Sequence, residues 1–267
     1  MKTDAGVQTE IVMIGTELLL GQIQDTNATY MARALAVAGV NLLWKTTVGD
    51  NAGRICEALR LGLGRSDILL CSGGLGPTAD DITRECVAEV LDAPLEYHDD
   101  LFQVIVERFR HRNRLLSENN KRQAMLPRGA APIHNPNGTA AGIIAESDRG
   151  AVICMPGVPM ELRPMLNRVV IPYICWKFNV RRTIQYRVLK VYGMGESRVD
   201  AAISDIMNSQ ANPTVGLLAS RDAVRVRIAA AAANTLEAET LIEPLDALIR
   251  QRLEGLAERI VQEDATA

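Results

Sequence analysis

Apolar and polar positions alternate between two periods along residues 7–180. Short apolar runs, typical of buried strands, are each followed by apolar residues spaced three and four positions apart, which is typical of helices. The predicted strands, each given with the helix that follows it, are 7–14 with 27–38, 40–48 with 51–63, and 67–70 with 80–91. Three successive strand–helix units predict a parallel sheet with helices on both of its faces.

The next segment changes the predicted sheet from parallel to mixed. A helix and a long loop lead to two apolar runs, 142–147 and 151–155, joined by a turn that contains Gly150. Such a turn predicts a hairpin, so one strand must run antiparallel to its neighbour. A further helix is predicted over about 159–177. Residues 7–179 are therefore predicted to form an α/β domain, a three-layer α/β/α fold with a mostly parallel mixed sheet.

The pattern restarts after Asn179 with a second set of elements. A β-rich run, a helix, two short strands and a final helix are predicted at 182–191, 197–208, 214–219, 223–231 and 236–253. This order predicts a small α+β domain of β-α-β-β-α type over 182–255, and the tail at 256–267 is predicted to fray.

Composition and charge restrict the classes of function. The 267 residues are 48% hydrophobic and 23% charged, which is typical of a soluble globular protein. A net charge of −3 gives no global reason to expect nucleic acid or membrane binding, and 4% aromatic residues argue against a stacking platform for single strands. The N-terminus lacks an apolar leader, and no apolar run approaches the length of a membrane span. We therefore expect a cytoplasmic protein with no membrane partner.

Cysteine and histidine do not indicate a site. The five cysteines form no C-x-x-C pair, and the three histidines are scattered along the chain. We interpret the cysteines as buried free thiols and expect no His-based metal site or catalytic triad.

A glycine-rich stretch after the third strand is the strongest candidate for chemistry. Glycine lets the backbone take positive φ and approach a ligand closely, and consecutive N–H groups before a helix form a seat for an anionic oxygen. The predicted phosphate-binding residues of this stretch are Ser72, Gly73, Gly74, Leu75, Gly76, Pro77 and Thr78. Asp80 and Asp81 would lie beside the phosphate, which favours a site that also holds a cation. The alternative is a strand-to-helix turn in which an Asp begins the helix.

Loops after other predicted strands carry further polar residues. Glu17 follows the first strand, at the strand end where open α/β sheets bind ligands. Asp25 and Asn27 are candidates for substrate contact, with helix capping as the alternative. Lys121 is a candidate phosphate contact or a surface lysine. The remaining predicted substrate-binding residues are Asn137 and Gly138 of the long loop, and Pro156, Gly157 and Glu161 after the hairpin.

Four motif-bearing segments follow one another in a distinctive order, at 15–22, 72–81, 137–142 and 156–161. Together they resemble the CinA family, competence/damage-inducible protein A and its relatives. The N-terminal domain of that family is similar to the molybdopterin-binding proteins MoaB and MogA. The segment 193–197 and the second domain look, more loosely, like the family's KH-like domain. The resemblance implies the three-layer fold with a mixed sheet and a homodimer.

The resemblance also implies an activity, the divalent-metal-dependent hydrolysis of ADP-ribose, or of a similar nucleoside diphosphate sugar, to AMP and ribose 5-phosphate. On this hypothesis Asp80 and Asp81, with Glu17 or Glu161, hold Mg²⁺, Mn²⁺ or Co²⁺ and activate water. The candidate catalytic residues are Asp80, Asp81, Glu17 and Lys121; the candidate metal ligands are Asp80, Asp81 and Glu161; no organic cofactor is expected. Family members continue into a nicotinamide-mononucleotide amidase domain that this sequence does not reach, so amidase activity is not implied.

Two alternatives stay open. One is a molybdopterin-binding or molybdenum-cofactor-processing protein, because the stretch from Ser72 resembles the Ser-Gly-Gly-Thr-Gly loop of MogA-like proteins. In this chain Leu75 replaces the Thr, so a hydroxyl donor is missing. The other is a non-catalytic adaptor whose KH-like domain binds nucleic acid. Its 193–196 segment is G-x-G-E rather than the G-x-x-G clamp, and Glu196 would repel phosphate, which disfavours nucleic acid as a partner.

Overall fold

The computed structural model describes residues 6–113, 115–208, 212–220 and 222–263, and the chain divides into two compact units. One unit comprises Met1–Ala36 with Val40–Val180, and the other comprises Val37–Gly39 with Arg181–Ala267. No helix in the described ranges is both long enough and apolar enough to cross a membrane.

The first unit alternates strands and helices as the apolar pattern predicts. Its strands are β1 (Gln8–Ile14), β2 (Asn41–Val48), β3 (Ile68–Ser72), β4 (Leu95–Tyr97), β5 (Met125–Pro127), β6 (Ala131–Ile133), β7 (Gly142–Ser147) and β8 (Gly150–Met155). Its helices are α1 (Thr16–Leu19), α2 (Thr26–Val37), α3 (Ala52–Leu63), α4 (Thr83–Val90), α5 (Asp99–His111), α6 (Pro159–Met165) and α7 (Ile171–Lys177). A 3-10 helix, Glu118–Ala124, precedes β5, and a π-helical turn, Leu166–Val170, joins α6 to α7.

Six of the described strands form one sheet in the order β2-β1-β3-β8-β7-β6. β1 is parallel to β2 and β3, and β3 is parallel to β8, whereas β7 is antiparallel to β6 and β8. The predicted α/β fold with a mostly parallel mixed sheet is therefore confirmed. Because β1, β3 and β8 run in one direction, the loops that follow them meet at one edge of the sheet.

The core of this unit lies around the central strand β3, which is buried along its whole length. Leu69 of this strand packs in one cluster with Ile55 and Leu59 of α3 and Val87 of α4. Burial on both faces of a parallel sheet explains why the central strands appear in the sequence as continuous apolar runs.

One charged side chain lies inside the sheet. Glu10 of β1 is fully buried, and its two carboxylate oxygens accept hydrogen bonds from Arg65 Nε and Nη2 at 2.8 and 2.7 Å. Thr46 donates a third hydrogen bond, and the Arg65 guanidinium lies 4.4 Å from the centre of the Trp44 ring. These bonds satisfy a buried carboxylate that would otherwise destabilise the sheet.

The second unit is built on a separate antiparallel sheet. Its elements are β9 (Thr183–Tyr192), α8 (Glu196–Asn208), β10 (Thr214–Ala219), β11 (Val224–Ala232), α9 (Thr235–Leu253) and β12 (Arg259–Glu263), with strand order β10-β11-β9-β12. The prediction that the chain frays from residue 256 is wrong over Arg259–Glu263, which pairs with β9. Ile260 packs on the core of this unit and so holds the strand in place, whereas 264–267 lie outside the described residues.

We expect Arg65→Ala to destabilise the first unit by about 2–3 kcal/mol, because it leaves the buried Glu10 carboxylate with one hydrogen bond. Urea unfolding followed by tryptophan fluorescence measures this, since both tryptophans, Trp44 and Trp176, lie in the first unit. Arg60→Ala is the control, because Arg60 and its partner Glu89 are exposed and such pairs contribute about 0–1 kcal/mol. Equal losses in the two variants would contradict the assignment.

Candidate functional site

A cavity of about 640 Å³ opens in the first unit where β1, β3 and β8 end. Residues that follow these strands line it, including Gly15 and Glu17 after β1, Gly73 after β3 and Gly157 after β8. This is the edge of an open α/β sheet at which ligands bind. The cavity therefore collects loops that are far apart in the sequence.

The loop after β3 requires glycine at two consecutive positions. Gly73 and Gly74 have φ values of +113° and +65°, which residues with side chains rarely adopt. A Cβ at Gly73 would overlap the carbonyl oxygen of Ile14, and one at Gly74 would overlap Thr83 Oγ1. The two glycines therefore let the loop lie directly against β1 and the start of α4.

Hydrogen bonds give this loop a fixed polarity. Four of its carbonyl oxygens accept hydrogen bonds. Thr83 Oγ1 donates to Gly73 O (2.8 Å), and Thr83 N donates to Gly74 O (3.1 Å). Arg84 Nη2 donates to Leu75 O (2.6 Å), and Arg84 Nη1 donates to Gly76 O (3.3 Å). The N–H groups of Gly74, Leu75 and Gly76, by contrast, have no hydrogen-bond partner among the described residues. Three consecutive backbone donors on the cavity wall are suited to an anion.

Two arginines donate hydrogen bonds to carbonyl groups of the segment 75–81. The side chain of Arg84, in α4, is only 1% exposed, and burial lowers the pKa of its guanidinium. Arg122, in the 3-10 helix, donates to the carbonyl oxygens of Thr78 (2.7 Å) and Asp81 (3.1 Å) and pairs with Glu85 (2.8 Å). The loop is therefore fixed by cations bound to its carbonyl oxygens.

Asp80 and Asp81 close a turn on Thr78. Thr78 N donates to Asp81 Oδ2 at 2.9 Å, and the Thr78 hydroxyl lies within hydrogen-bond distance of both carboxylates. The bond from this hydroxyl lowers the pKa of Asp80. The sequence predicts that this helix begins at Asp80. The turn explains why α4 begins at Thr83 instead.

The three predicted metal ligands do not form a ready cation site. In the part of the chain that the structure describes, no three His, Cys, Asp or Glu side chains are grouped so that they could hold a metal ion. Asp80 and Asp81 bond Thr78, and Glu161 Oε2 accepts a hydrogen bond from Asn135 at 2.7 Å. The divalent cation stays a prediction.

Asn27 and Ser72 tie three loops of the cavity together. Asn27 Nδ2 donates to Gly157 O at 2.7 Å and to Ser72 Oγ at 3.3 Å, and Ser72 Oγ donates to Pro156 O at 3.3 Å. Asn27 Oδ1 is buried and accepts no hydrogen bond from a described residue. Asp25 caps α2, since its Oδ1 accepts from Ala28 N at 2.8 Å, as the capping alternative predicts.

The remaining predicted residues divide between the cavity wall and its surroundings. The predicted residues that line the cavity are Glu17, Asp25, Asn27, Ser72, Gly73, Gly74, Leu75, Gly76, Pro77, Asp80, Asp81, Pro156, Gly157 and Glu161. Thr78, Lys121, Asn137 and Gly138 do not line it. Lys121 is exposed and forms an ion pair with Glu118 at 2.8 Å, so the structure gives it no place in the site. Asn137 Nδ2 instead donates to Met160 O, and Gly138 leaves room for the Glu161 carboxylate.

Two family models match the chain. One, described as "Probable molybdopterin binding domain", covers residues 10–175, and the other, described as "Damage-inducible protein CinA KH domain", covers residues 186–257. The chain belongs to the CinA family.

Several relatives of this CinA-type chain are named competence-damage inducible proteins. The Pediococcus pentosaceus protein is 41% identical over 87% of this chain and 56% of its own length, and the Bacillus subtilis protein is 39% identical over 91% and 59%. The chain therefore spans less than two thirds of the length of these relatives. The crystal structure of a CinA protein of unknown function from Thermoplasma acidophilum aligns with a TM-score of 0.58 at 31% identity, over 62% of this chain and 98% of that one.

These comparisons correct the predicted activity. The CinA-type domain that holds the cavity matches a molybdopterin binding model, and the names of these relatives mention no hydrolysis of ADP-ribose. The predicted ADP-ribose pyrophosphohydrolase is therefore wrong, and the molybdopterin alternative fits the family better. The homodimer stays a prediction.

Sequence reasoning missed several residues of this CinA-type site. Arg84 and Arg122 hold the glycine loop, and Asp50, Gln123 and Thr139 line the cavity. Gln123 is buried and accepts a hydrogen bond from Thr139 Oγ1 at 3.2 Å. Arg84 could have been found as a charge inside an otherwise apolar helical pattern, whereas nothing in the sequence separates Arg122 from its neighbour Lys121.

We expect Gly74→Ala to destabilise the first unit more than Gly129→Ala does. Both glycines have positive φ, +65° and +78°, but only at Gly74 would the new methyl group meet Thr83, since nothing lies within 4 Å of a Cβ at Gly129. Backbone strain costs about 1–2 kcal/mol in either variant. The additional contact with Thr83 should therefore make the Gly74 variant less stable than the Gly129 variant by at least about 1 kcal/mol. The midpoint of urea unfolding is the measurement, and equal midpoints would show that the loop does not press on α4.

We expect Thr78→Val to raise the pKa of Asp80 toward that of an ordinary Asp, because the variant removes the hydroxyl that stabilises the ionised carboxylate. A depressed pKa in the folded chain stabilises it above the unfolded pKa, and that contribution is lost as pH falls through the folded value. Carboxyl ¹³C NMR titration reports the pKa. Asp205, whose pKa is lowered by Arg252, is the internal control and should not move; an unchanged Asp80 pKa would contradict the role of Thr78.

Proposed function

We propose that the cavity binds molybdopterin or a closely related phosphorylated pterin. The observation that carries the proposal is the row of N–H donors at Gly74, Leu75 and Gly76, which line the cavity and find no acceptor among the described residues. The description of the matched family model names the same class of ligand. The phosphate of the ligand would accept hydrogen bonds from these donors, as phosphates do in other glycine-rich turns before helices.

Leu75 fits this role although it replaces a threonine of the MogA-like loop. Its side chain is 1% exposed and packs in the core of the first unit. The N–H donor belongs to the backbone and does not depend on the identity of the side chain. The missing hydroxyl thus removes one donor but leaves the row of backbone donors complete.

The rest of the cavity suits the ring of a pterin rather than its phosphate. Four carboxylates outside the glycine loop line the wall, those of Glu17, Asp25, Asp50 and Glu161, whereas those of Asp80 and Asp81 lie at the loop and bond Thr78. Carboxylates repel phosphate but accept hydrogen bonds from the amino and ring N–H groups of a pterin. Asn27 Oδ1, which no described residue bonds, is a further acceptor in the same wall. The ligand would then lie with its phosphate at the glycine loop and its ring among the acids.

We expect Arg84→Lys to weaken molybdopterin binding by about tenfold or more. Lysine keeps the charge but offers one ammonium nitrogen in place of the two guanidinium nitrogens that bond Leu75 O and Gly76 O, so the loop is held less firmly. Isothermal titration calorimetry with molybdopterin and, separately, with inorganic phosphate measures the effect. Both ligands should lose affinity, because the change acts on the phosphate seat that they share.

The exposed Arg60→Ala variant should bind as the unchanged chain does, and thermal unfolding should show that the Arg84 variant remains folded. An Arg84→Lys protein that is folded and binds molybdopterin with full affinity would refute the phosphate seat. No binding of molybdopterin to the unchanged chain would refute the proposed function itself.

A further inference from the structure

The sheet of the second unit has one face that its own helices cover and one that they leave open. Leu189 of β9 and Val226 of β11 point to the covered face, where they pack with Ile203 of α8 and Ile249 of α9. Alternate positions of a strand point to opposite faces. The residues between these core positions therefore form a second face of the sheet.

Strand register brings cations together on this open face. Arg225 of β11 lies beside Lys190 of β9, which lies beside Val261 of β12, and Arg227 occupies the next outward position of β11. Arg259 of β12 pairs with Tyr192 at the end of β9. Four cations, Lys190, Arg225, Arg227 and Arg259, thus share the outward positions of three neighbouring strands.

One acid, Glu263, lies among these cations. It forms ion pairs with Lys190 and Arg225, each at 2.9 Å, and both partners lower its pKa. Arg227 is exposed, and no ion pair joins it to another described residue. The outward strand positions carry four cations and one acid, a net charge of +3, on a chain whose net charge is −3.

Two tyrosines flank the cations along β9. Tyr186 is 40% exposed, and the guanidinium of Arg259 lies 4.5 Å from the centre of the Tyr192 ring. The two positions are six residues apart on one face of one strand, which corresponds to about 20 Å. Aromatic rings on a four-stranded sheet, with cations beside them, are the elements that stack bases and neutralise phosphates.

We propose that this open sheet face binds single-stranded nucleic acid. Tyr186 and Tyr192 stack bases, and Arg227 and Arg259 contact phosphates between and beside them. The site does not use the 193–196 segment, whose Glu196 disfavours a KH-type clamp. The low aromatic content of the whole chain predicts no stacking platform, but two of its five tyrosines converge on this one face.

Fluorescence anisotropy of a labelled oligodeoxythymidine with the full chain tests the proposal. We expect Tyr186→Ala and Tyr192→Ala each to raise the dissociation constant about fivefold or more, since base stacking is lost. Arg227→Gln should lower the slope of log affinity against log salt by about 0.7, the value for one phosphate contact on a single strand. Arg198→Gln is the matched control, because Arg198 is an exposed cation of α8 beside the 193–196 segment.

Each alternative gives a different result. Binding that Arg198→Gln weakens and Arg227→Gln leaves unchanged would place nucleic acid at the KH-type segment and overturn the proposal. Equal affinity for a duplex, or displacement of the oligonucleotide by polyglutamate, would show a general polyanion surface instead. Absence of binding at low salt would refute the proposal outright, while retained oligonucleotide binding in the presence of excess molybdopterin would support a site separate from the cavity.

Discussion

The candidate site depends on the burial of one cation, the Arg84 guanidinium. A buried charge is costly unless hydrogen bonds satisfy it, and here the acceptors are the carbonyl oxygens of Leu75 and Gly76. The Leu75 carbonyl shares its peptide group with the Gly76 N–H, so the bond to Arg84 turns that N–H away from the arginine, whereas the Gly76 carbonyl shares its peptide group with Pro77, which has no N–H. Thr83 orients the other two donors, because it bonds the carbonyls of the peptide groups that carry the N–H groups of Gly74 and Leu75. The contacts of Thr83 and Arg84 at the start of α4 therefore hold the loop and leave its N–H donors free.

The parts of this arrangement that follow from local rules could be predicted. Strand β3 is continuous and apolar because it is buried on both faces, and Gly73 and Gly74 follow it because the loop needs positive φ and close approach. Parallel strands end at one edge, so the sequence alone predicts Glu17, Ser72 and Gly157 at one site. What could not be predicted was which partner each polar group finds.

Arg122 and Lys121 show why partner choice is not readable from the sequence. The two cations are adjacent, and the register of a 3-10 helix decides that Arg122 reaches the loop while Lys121 pairs with Glu118. Asp80 and Asp81 show that the partners of acidic residues are equally hard to predict from the sequence. Paired acids beside a glycine loop favour a cation on chemical grounds, but a nearby hydroxyl, that of Thr78, lies within hydrogen-bond distance of both. The spacing of the two acids indicates which partners are chemically possible, and tertiary contacts decide which partner each acid binds.

Net charge and composition are averages over the whole chain and do not describe its separate surfaces. The net charge of −3 combines surfaces of opposite sign. The cavity wall carries six carboxylates, whereas the open sheet face of the second unit carries four cations and one acid. Electrostatic recognition acts over about a Debye length, roughly 8–10 Å at physiological salt, so each surface meets its ligand as a local field rather than as part of an average. In β9 the outward parity collects Tyr186, Lys190 and Tyr192 on one face, whereas along the chain these residues are separated by the segment 187–189 and by Val191. Strands are routinely recognised by apolar residues at a two-residue period. The same period, searched among charges and aromatic rings, would therefore reveal such a face in a sequence.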